Sequence, residues 1–77
     1  MQEEFKEYYR KLGFKVAYYR KVRGWTQEQL ADRMMVDTSF IGQIEAKGID
    51  KAISMDTLFR LAQTLEIPAY KLLYFDD

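Results

Sequence analysis

Two short helical patterns joined by a tight break occupy residues 26–48, and this segment constrains the fold more than any other. Thr26 can cap the first helix, because its hydroxyl can accept a backbone N–H of the first turn, and Gln29 can reach back to complete a capping box. The apolar residues that then fall on one helical face are Leu30, Ala31 and Met34. The pattern breaks before Asp37, which begins a second helix and places its carboxylate at the positive end of the helix dipole.

The second predicted helix has two unlike sides. At roughly 100° per residue, its apolar side consists of Phe40, Ile41 and Ile44. Its opposite side consists of Thr38, Ser39, Gly42, Gln43 and Ala46. Because this opposite side has no charge and little bulk, another rigid surface could approach it closely. The major groove of DNA is one such surface, since it is wide enough to admit a helix.

Three side chains on the uncharged side are candidates for reading DNA sequence. Thr38, Ser39 and Gln43 can hydrogen-bond to base edges, and glutamine is well suited to adenine. The alternative is that this side of the helix is simply solvated.

The segments TQEQLADRM and SFIGQIE, with the short turn between them, resemble the helix-turn-helix of the Cro/repressor (XRE) family of DNA-binding regulators. The resemblance covers residues 12–74. Upstream it includes Leu12, Gly13, Val16, Arg20 and Gly24, and downstream it includes SMDTLFRLAQTLEIPAYKLL. It implies an all-α, compact five-helix domain with the lambda-repressor-like DNA-binding fold and a helix-turn-helix at residues 26–47. The small size suits a restriction–modification controller, a phage-type repressor or a small antitoxin.

The resemblance also assigns roles to single residues. In resembling proteins the arginine at the position of Arg20 pairs with the glutamate at the position of Glu45, and this structural ion pair braces the first helix against the recognition helix. A carboxylate at the edge of the apolar side needs a partner, and a planar guanidinium can bind it bidentately. Two independent solvated charges are the alternative. Gln27 is assigned a DNA backbone contact, at a helix start whose N–H groups attract phosphate.

The loop after the recognition helix contains two lysines, and both the loop and the turn depart from the family pattern. Lys47 and Lys51 could contact phosphates flanking the groove, although isolated surface lysines are often only solubilising. Met35 stands where the family usually has glycine, in a turn that often has positive φ, which costs another residue about 1 kcal/mol or more. Ala46 and Lys47 precede Gly48 where the family usually reads Asn-Gly, so we predict that the helix runs one residue longer.

The net charge of the chain is zero, which counts against nucleic-acid binding, because neutralising phosphates supplies much of the affinity. The charge is unevenly distributed, since residues 1–24 sum to +4 and residues 25–77 to −4. A basic face can therefore exist within a neutral chain, and we expect weak non-specific binding. Asp37 is unfavourable near a phosphate unless its carboxylate is fully engaged in capping.

The chain has 77 residues, enough for one domain and too few for two cores. It contains no cysteine and no histidine, and its glycines form no phosphate-binding loop. We therefore expect no enzyme activity, no catalytic residues, no metal, no cofactor and no small-molecule ligand. No run of about 18 apolar residues and no signal-peptide pattern occur, so we expect a cytoplasmic protein with no membrane contact.

Residues 3–23 show a long helical pattern without proline, in which Gly13 allows a break. Residues 1–11 precede the part that resembles the family and form an N-terminal helical extension of unassigned role. The tyrosines of this region outnumber those that one small core needs, so they either pack in the ordinary way or form a self-association surface. These residues are Tyr8, Tyr9 and Tyr18.

Residues 68–77 carry more apolar material than a terminal turn needs, and we predict that they form a dimerisation segment. In resembling proteins the last helix pairs across a twofold axis, which sets two recognition helices about 34 Å apart, one turn of DNA. The predicted dimer-interface residues are Tyr70, Leu73, Tyr74 and Phe75. The alternative is that Tyr74 and Phe75 fold back on their own core.

The sequence thus favours a specific regulator that binds a double-stranded DNA operator as a homodimer, with its recognition helix in the major groove. The alternative is a protein-interaction module on the same fold, for example an antitoxin-like partner, with weak or no DNA binding. Zero net charge, Met35 and Asp37 favour this alternative.

Overall fold

The computed structural model describes residues 3–46 and 52–75. It contains four α-helices, which are α1 (Lys6–Val22), α2 (Gln27–Met34), α3 (Thr38–Glu45) and α4 (Met55–Leu65). A 3₁₀ turn (Glu3–Phe5) precedes α1, and a 3₁₀ helix (Ala69–Leu72) follows α4. These two ranges contain no strand, so the predicted all-α class is confirmed.

The fifth predicted helix is a 3₁₀ helix rather than an α-helix. Its backbone N–H groups bond three residues back, from Lys71 to Pro68 at 3.1 Å and from Leu73 to Tyr70 at 3.0 Å. Such bonding is typical of short terminal turns. Leu72 is fully buried and fixes this turn against the rest of the fold.

The core lies between all four α-helices and the terminal turn. Its buried apolar residues are Leu12, Val16, Leu30, Ala31, Met34, Ile41, Ile44, Leu58, Leu61, Ala62, Leu65 and Leu72. Each α-helix contributes at least two of them. The two from α3, Ile41 and Ile44, lie on the same side of the helix, so α3 packs against α1 and α2 through that side. The other side of α3 is left free of the core.

Two of the helices begin with a side-chain cap, and the sequence predicts the one at Thr26. Thr26 accepts a hydrogen bond from the backbone N–H of Gln29 at 3.1 Å, and the Gln29 side chain accepts one from the backbone N–H of Thr26 at 2.8 Å. The predicted capping box is therefore confirmed. Ser54 caps α4 in the same way by accepting from the N–H of Thr57 at 3.1 Å.

The turn between α2 and α3 is tight because Met35 adopts the left-handed conformation, with φ of 60° and ψ of 43°. The positive φ expected at this position is confirmed. The Met35 side chain is 90% exposed, so it adds little to the core to offset the strain of a non-glycine residue there. Helix α3, which follows this turn, contacts both α1 and α2.

Helix α1 runs without a break through Gly13, which is buried where α1 crosses α3. A Cβ atom built on Gly13 would lie 2.3 Å from the backbone carbonyl oxygen of Ile44. Glycine therefore allows the backbones of α1 and α3 to approach more closely than any other residue would permit.

The prediction that the recognition helix runs one residue longer is wrong. Helix α3 ends at Glu45, and Ala46 is extended, with φ of −75° and ψ of 133°. The chain leaves the helix directly after Glu45, the residue whose side chain is tied to neighbouring helices. Gly48, the predicted residue after the helix end, lies outside the described residues.

Candidate nucleic-acid interface

Helix α3 has one buried side and one exposed polar side. Ile41 and Ile44 are buried in the core. The predicted base-reading residues Thr38, Ser39 and Gln43 are all exposed on the opposite side. The structure therefore brings these three side chains together on one surface without using them for packing.

The carboxylate of Glu45 holds α3 against α1. The Arg20 guanidinium donates from Nε to Glu45 Oε2 and from Nη2 to Glu45 Oε1, both at 2.8 Å. The two side chains are only 10% and 5% exposed. Arg20 also donates from Nη1 to the backbone carbonyl of Trp25 at 2.8 Å, which ties the turn between α1 and α2 to the same ion pair. Hydrogen bonding to Glu45 raises the pKa of Arg20, and this effect outweighs the opposing effect of burial.

A third side chain joins this pair. Gln27, the first residue of α2, donates from Nε2 to Glu45 Oε1 at 3.0 Å. Glu45 thus receives three hydrogen bonds from two other helices, and α1, α2 and α3 are linked through one buried carboxylate. This bond was not predictable from the sequence, because two residues separated by 18 positions share no local pattern.

Of the three predicted DNA backbone contacts, Gln27 is the one that lies within the described residues. The side-chain amide of Gln27 is half-buried and bonded to Glu45, whereas its backbone N–H belongs to the first turn of α2, where helical N–H groups lack an intrahelical acceptor. A phosphate contact by Gln27 stays a prediction. The predictions for Lys47 and Lys51 lie outside the described residues.

The exposed side of α3 borders a shallow open depression. It is lined by Met35, Val36, Asp37, Ser39, Phe40 and Gln43. Asp37 is the N-cap residue of α3, but its side chain makes no capping hydrogen bond. Its carboxylate is therefore not engaged in capping, and it would be unfavourable near a phosphate.

The predicted dimer-interface residues divide into two groups. Tyr70, Leu73 and Tyr74 are exposed. Phe75 instead packs against the core and stacks on Tyr8 of α1, with ring centroids 6.3 Å apart. Phe75 thus folds back on the core of its own chain, which is the alternative to a dimer contact, and the other three side chains lie at the surface.

Within residues 3–46 and 52–75, no helix is both long and apolar enough to cross a membrane. The same part of the chain holds no group of three or more histidine, cysteine or acidic residues placed to bind a metal ion.

The arrangement of α2, the tight turn and α3 matches a known family. A helix-turn-helix family model matches residues 16–72, most of the chain. The chain belongs to this family. No curated protein matches it.

Two solved structures of helix-turn-helix type are similar to the chain. The hypothetical transcription factor NHTF from Neisseria has 25% sequence identity and a TM-score of 0.81, over 90% of this chain and 77% of that one. The restriction–modification controller protein C.AhdI from Aeromonas hydrophila has 28% identity and a TM-score of 0.75, over 83% of this chain and 94% of that one.

These findings confirm the resemblance to the Cro/repressor (XRE) type of helix-turn-helix protein and the fold that it implied. They indicate a DNA-binding regulator rather than an enzyme. The family match begins at residue 16, so the N-terminal extension of residues 1–11 lies outside it.

Proposed function

We propose that this chain is a transcriptional regulator that binds a specific double-stranded DNA operator as a homodimer, with α3 in the major groove. One observation carries the proposal, namely the exposed, uncharged side of α3 that bears Thr38, Ser39 and Gln43. These side chains have hydrogen-bonding groups of the kinds that read base edges. Small neighbours such as Gly42 let the groove come close.

The triad Arg20, Glu45 and Gln27 supports base reading, because a reading helix must be held in one orientation. Three hydrogen bonds of 2.8–3.0 Å fix Glu45, the last residue of α3, to α1 and α2. Side chains on a rigid helix present a defined pattern to the groove, whereas a mobile helix would lose entropy on each binding event. Gln27, Lys47 and Lys51 would set the register through phosphate contacts, which carry no sequence information.

The exposed apolar surface near the C-terminus supports the proposed homodimer. Tyr70, Leu73 and Tyr74 lie close together in sequence and all are exposed. Pairing two copies across a twofold axis would cover them and would set two α3 helices about 34 Å apart, which matches successive major grooves. Phe75 would not form part of this interface, since its ring already packs on the core.

The similarity to C.AhdI, a restriction–modification controller protein, supports a small cytoplasmic regulator of that kind. The competing function is a protein-interaction module on the same fold, which the zero net charge favours. A gel-shift experiment with genomic fragments at low and moderate salt separates the two. The regulator predicts saturable, salt-sensitive binding to particular fragments. An absence of binding even at low salt would contradict the regulator and favour the module.

Replacing Leu73 by glutamate is expected to weaken dimerisation about tenfold or more, because the new charge would be buried in an apolar contact. Sedimentation equilibrium measures the dimer dissociation constant directly. Val22→Glu is the matched control, because Val22 is an exposed apolar residue at the end of α1, outside the proposed interface. Equal dissociation constants for Leu73→Glu and Val22→Glu would contradict the proposed interface.

A further inference from the structure

Asp37 is an exposed carboxylate next to the side of α3 that the proposed function assigns to DNA. It occupies the N-cap position of α3, yet its side chain makes no capping hydrogen bond. Among the described residues, no salt bridge or side-chain hydrogen bond engages it. It lines the same shallow depression as Ser39 and Gln43, two of the predicted base-reading residues.

A carboxylate in this place would oppose binding to DNA of arbitrary sequence. DNA carries a negative charge about every 1.7 Å along its axis, so an acidic side chain brought into the groove meets like charge whatever the bases are. An ionised carboxylate can only accept hydrogen bonds. It is therefore tolerated only where a base presents a donor.

Few groups in the major groove can satisfy such an acceptor. Guanine presents two acceptors there and thymine an acceptor and a methyl group, so both leave the carboxylate without a partner. Adenine presents an amino donor beside the N7 acceptor, whereas cytosine presents its N4 amino group as a donor alone. Cytosine is thus the base that best fits Asp37.

We infer that Asp37 is a specificity-determining residue that accepts a hydrogen bond from the amino group of one cytosine in each operator half-site. The inference rests on the proposed function and extends it by one residue and one base. The carboxylate gains a hydrogen-bond donor at that cytosine and disfavours guanine and thymine, which present acceptors there. Its contribution is therefore mostly the exclusion of wrong sequences, and it accounts for an acidic residue on a DNA-binding surface.

In-vitro selection from a random duplex library tests the inference, because it reports the base preference at every position. The full-length chain, Asp37→Asn and Asp37→Ser are selected in parallel. Asparagine and serine both remain good N-cap residues, and the Asp37 side chain makes no cap bond that could be lost, so α3 should keep its structure. Asp32→Asn is the control, since it removes the same charge from an exposed position on α2 outside the depression.

The wild-type chain is expected to prefer cytosine about fivefold or more at one base pair of each half-site. Both Asp37 variants should lose that preference and keep the others, and the asparagine variant should accept adenine there, because asparagine suits adenine. Asp32→Asn should keep every preference. Unchanged preferences in both Asp37 variants would overturn the inference and leave the proposed function standing. Failure of the wild-type chain to enrich any sequence would instead contradict the proposed function, and the inference with it.

Discussion

Replacing Arg20 by alanine is expected to lower the free energy of unfolding by about 3–5 kcal/mol, because it would leave the Glu45 carboxylate buried without its charged partner. Arg20 makes two hydrogen bonds to Glu45 and one to the backbone carbonyl of Trp25. The hydrogen bond from Gln27 would remain, but a neutral amide does not balance a buried charge. Urea denaturation followed by circular dichroism measures the loss.

The matched control for Arg20→Ala is Arg10→Ala. Arg10 also pairs with a glutamate, Glu7, but these side chains are 50% and 54% exposed, whereas Arg20 and Glu45 are 10% and 5% exposed. Exposed pairs contribute at most about 1 kcal/mol, so Arg10→Ala should change stability little. If Arg20→Ala is too unstable to fold, Arg20→Lys keeps the charge without the bidentate geometry and should show a smaller, measurable loss. Equal losses for Arg10→Ala and Arg20→Ala would contradict a bracing role.

Replacing Gly13 by alanine is expected to lower the free energy of unfolding by about 1–3 kcal/mol, the usual range for overpacking. The direction is opposite to that of an ordinary helix position, where alanine is more stable than glycine by about 1 kcal/mol. The new Cβ would lie 2.3 Å from the carbonyl oxygen of Ile44. Because that atom belongs to the backbone of α3, the clash can be relieved only by moving the helix itself. Thermal and urea denaturation both report the loss.

Gly42→Ala provides the comparison for Gly13→Ala, since Gly42 also lies inside a helix. A Cβ built on Gly42 has an ordinary contact, 3.6 Å from Oε1 of Gln27. We therefore expect Gly42→Ala to leave stability unchanged or to raise it by up to about 1 kcal/mol. A Gly13→Ala protein as stable as Gly42→Ala would show that α1 and α3 do not approach closely at this point.

Local sequence patterns predicted the features that depend on neighbouring residues. The capping box of Thr26 and Gln29 and the apolar face of α2, formed by Leu30, Ala31 and Met34, each arise within a few positions of the chain. The positive φ of Met35 was expected from the family resemblance, because the family usually has glycine at this position. The resemblance to the Cro/repressor family then supplied the order of the helices.

Features that depend on tertiary contacts could not be read from the sequence. Arg20 and Gln27 reach Glu45 from two other helices, and the family resemblance predicts only Arg20 as its partner. To predict the hydrogen bond from Gln27 to Glu45, one would have to know the relative position of α2 and α3 to within the length of a hydrogen bond. The return of Phe75 to Tyr8 and the end of α3 at Glu45 likewise depend on how distant segments pack.

One comparison tests most directly whether the exposed side of α3 reads bases. It sets the affinity of Gln43→Ala for a selected operator against its affinity for a scrambled duplex of equal length. Gln63→Ala serves as the control, because Gln63 is an exposed glutamine on α4 that lies outside the proposed surface. We predict that Gln43→Ala loses about 1–3 kcal/mol of binding free energy on the operator and nothing on the scrambled duplex, and that Gln63→Ala loses nothing on either. Equal losses on both duplexes for Gln43→Ala, or no loss on the operator, would contradict the account.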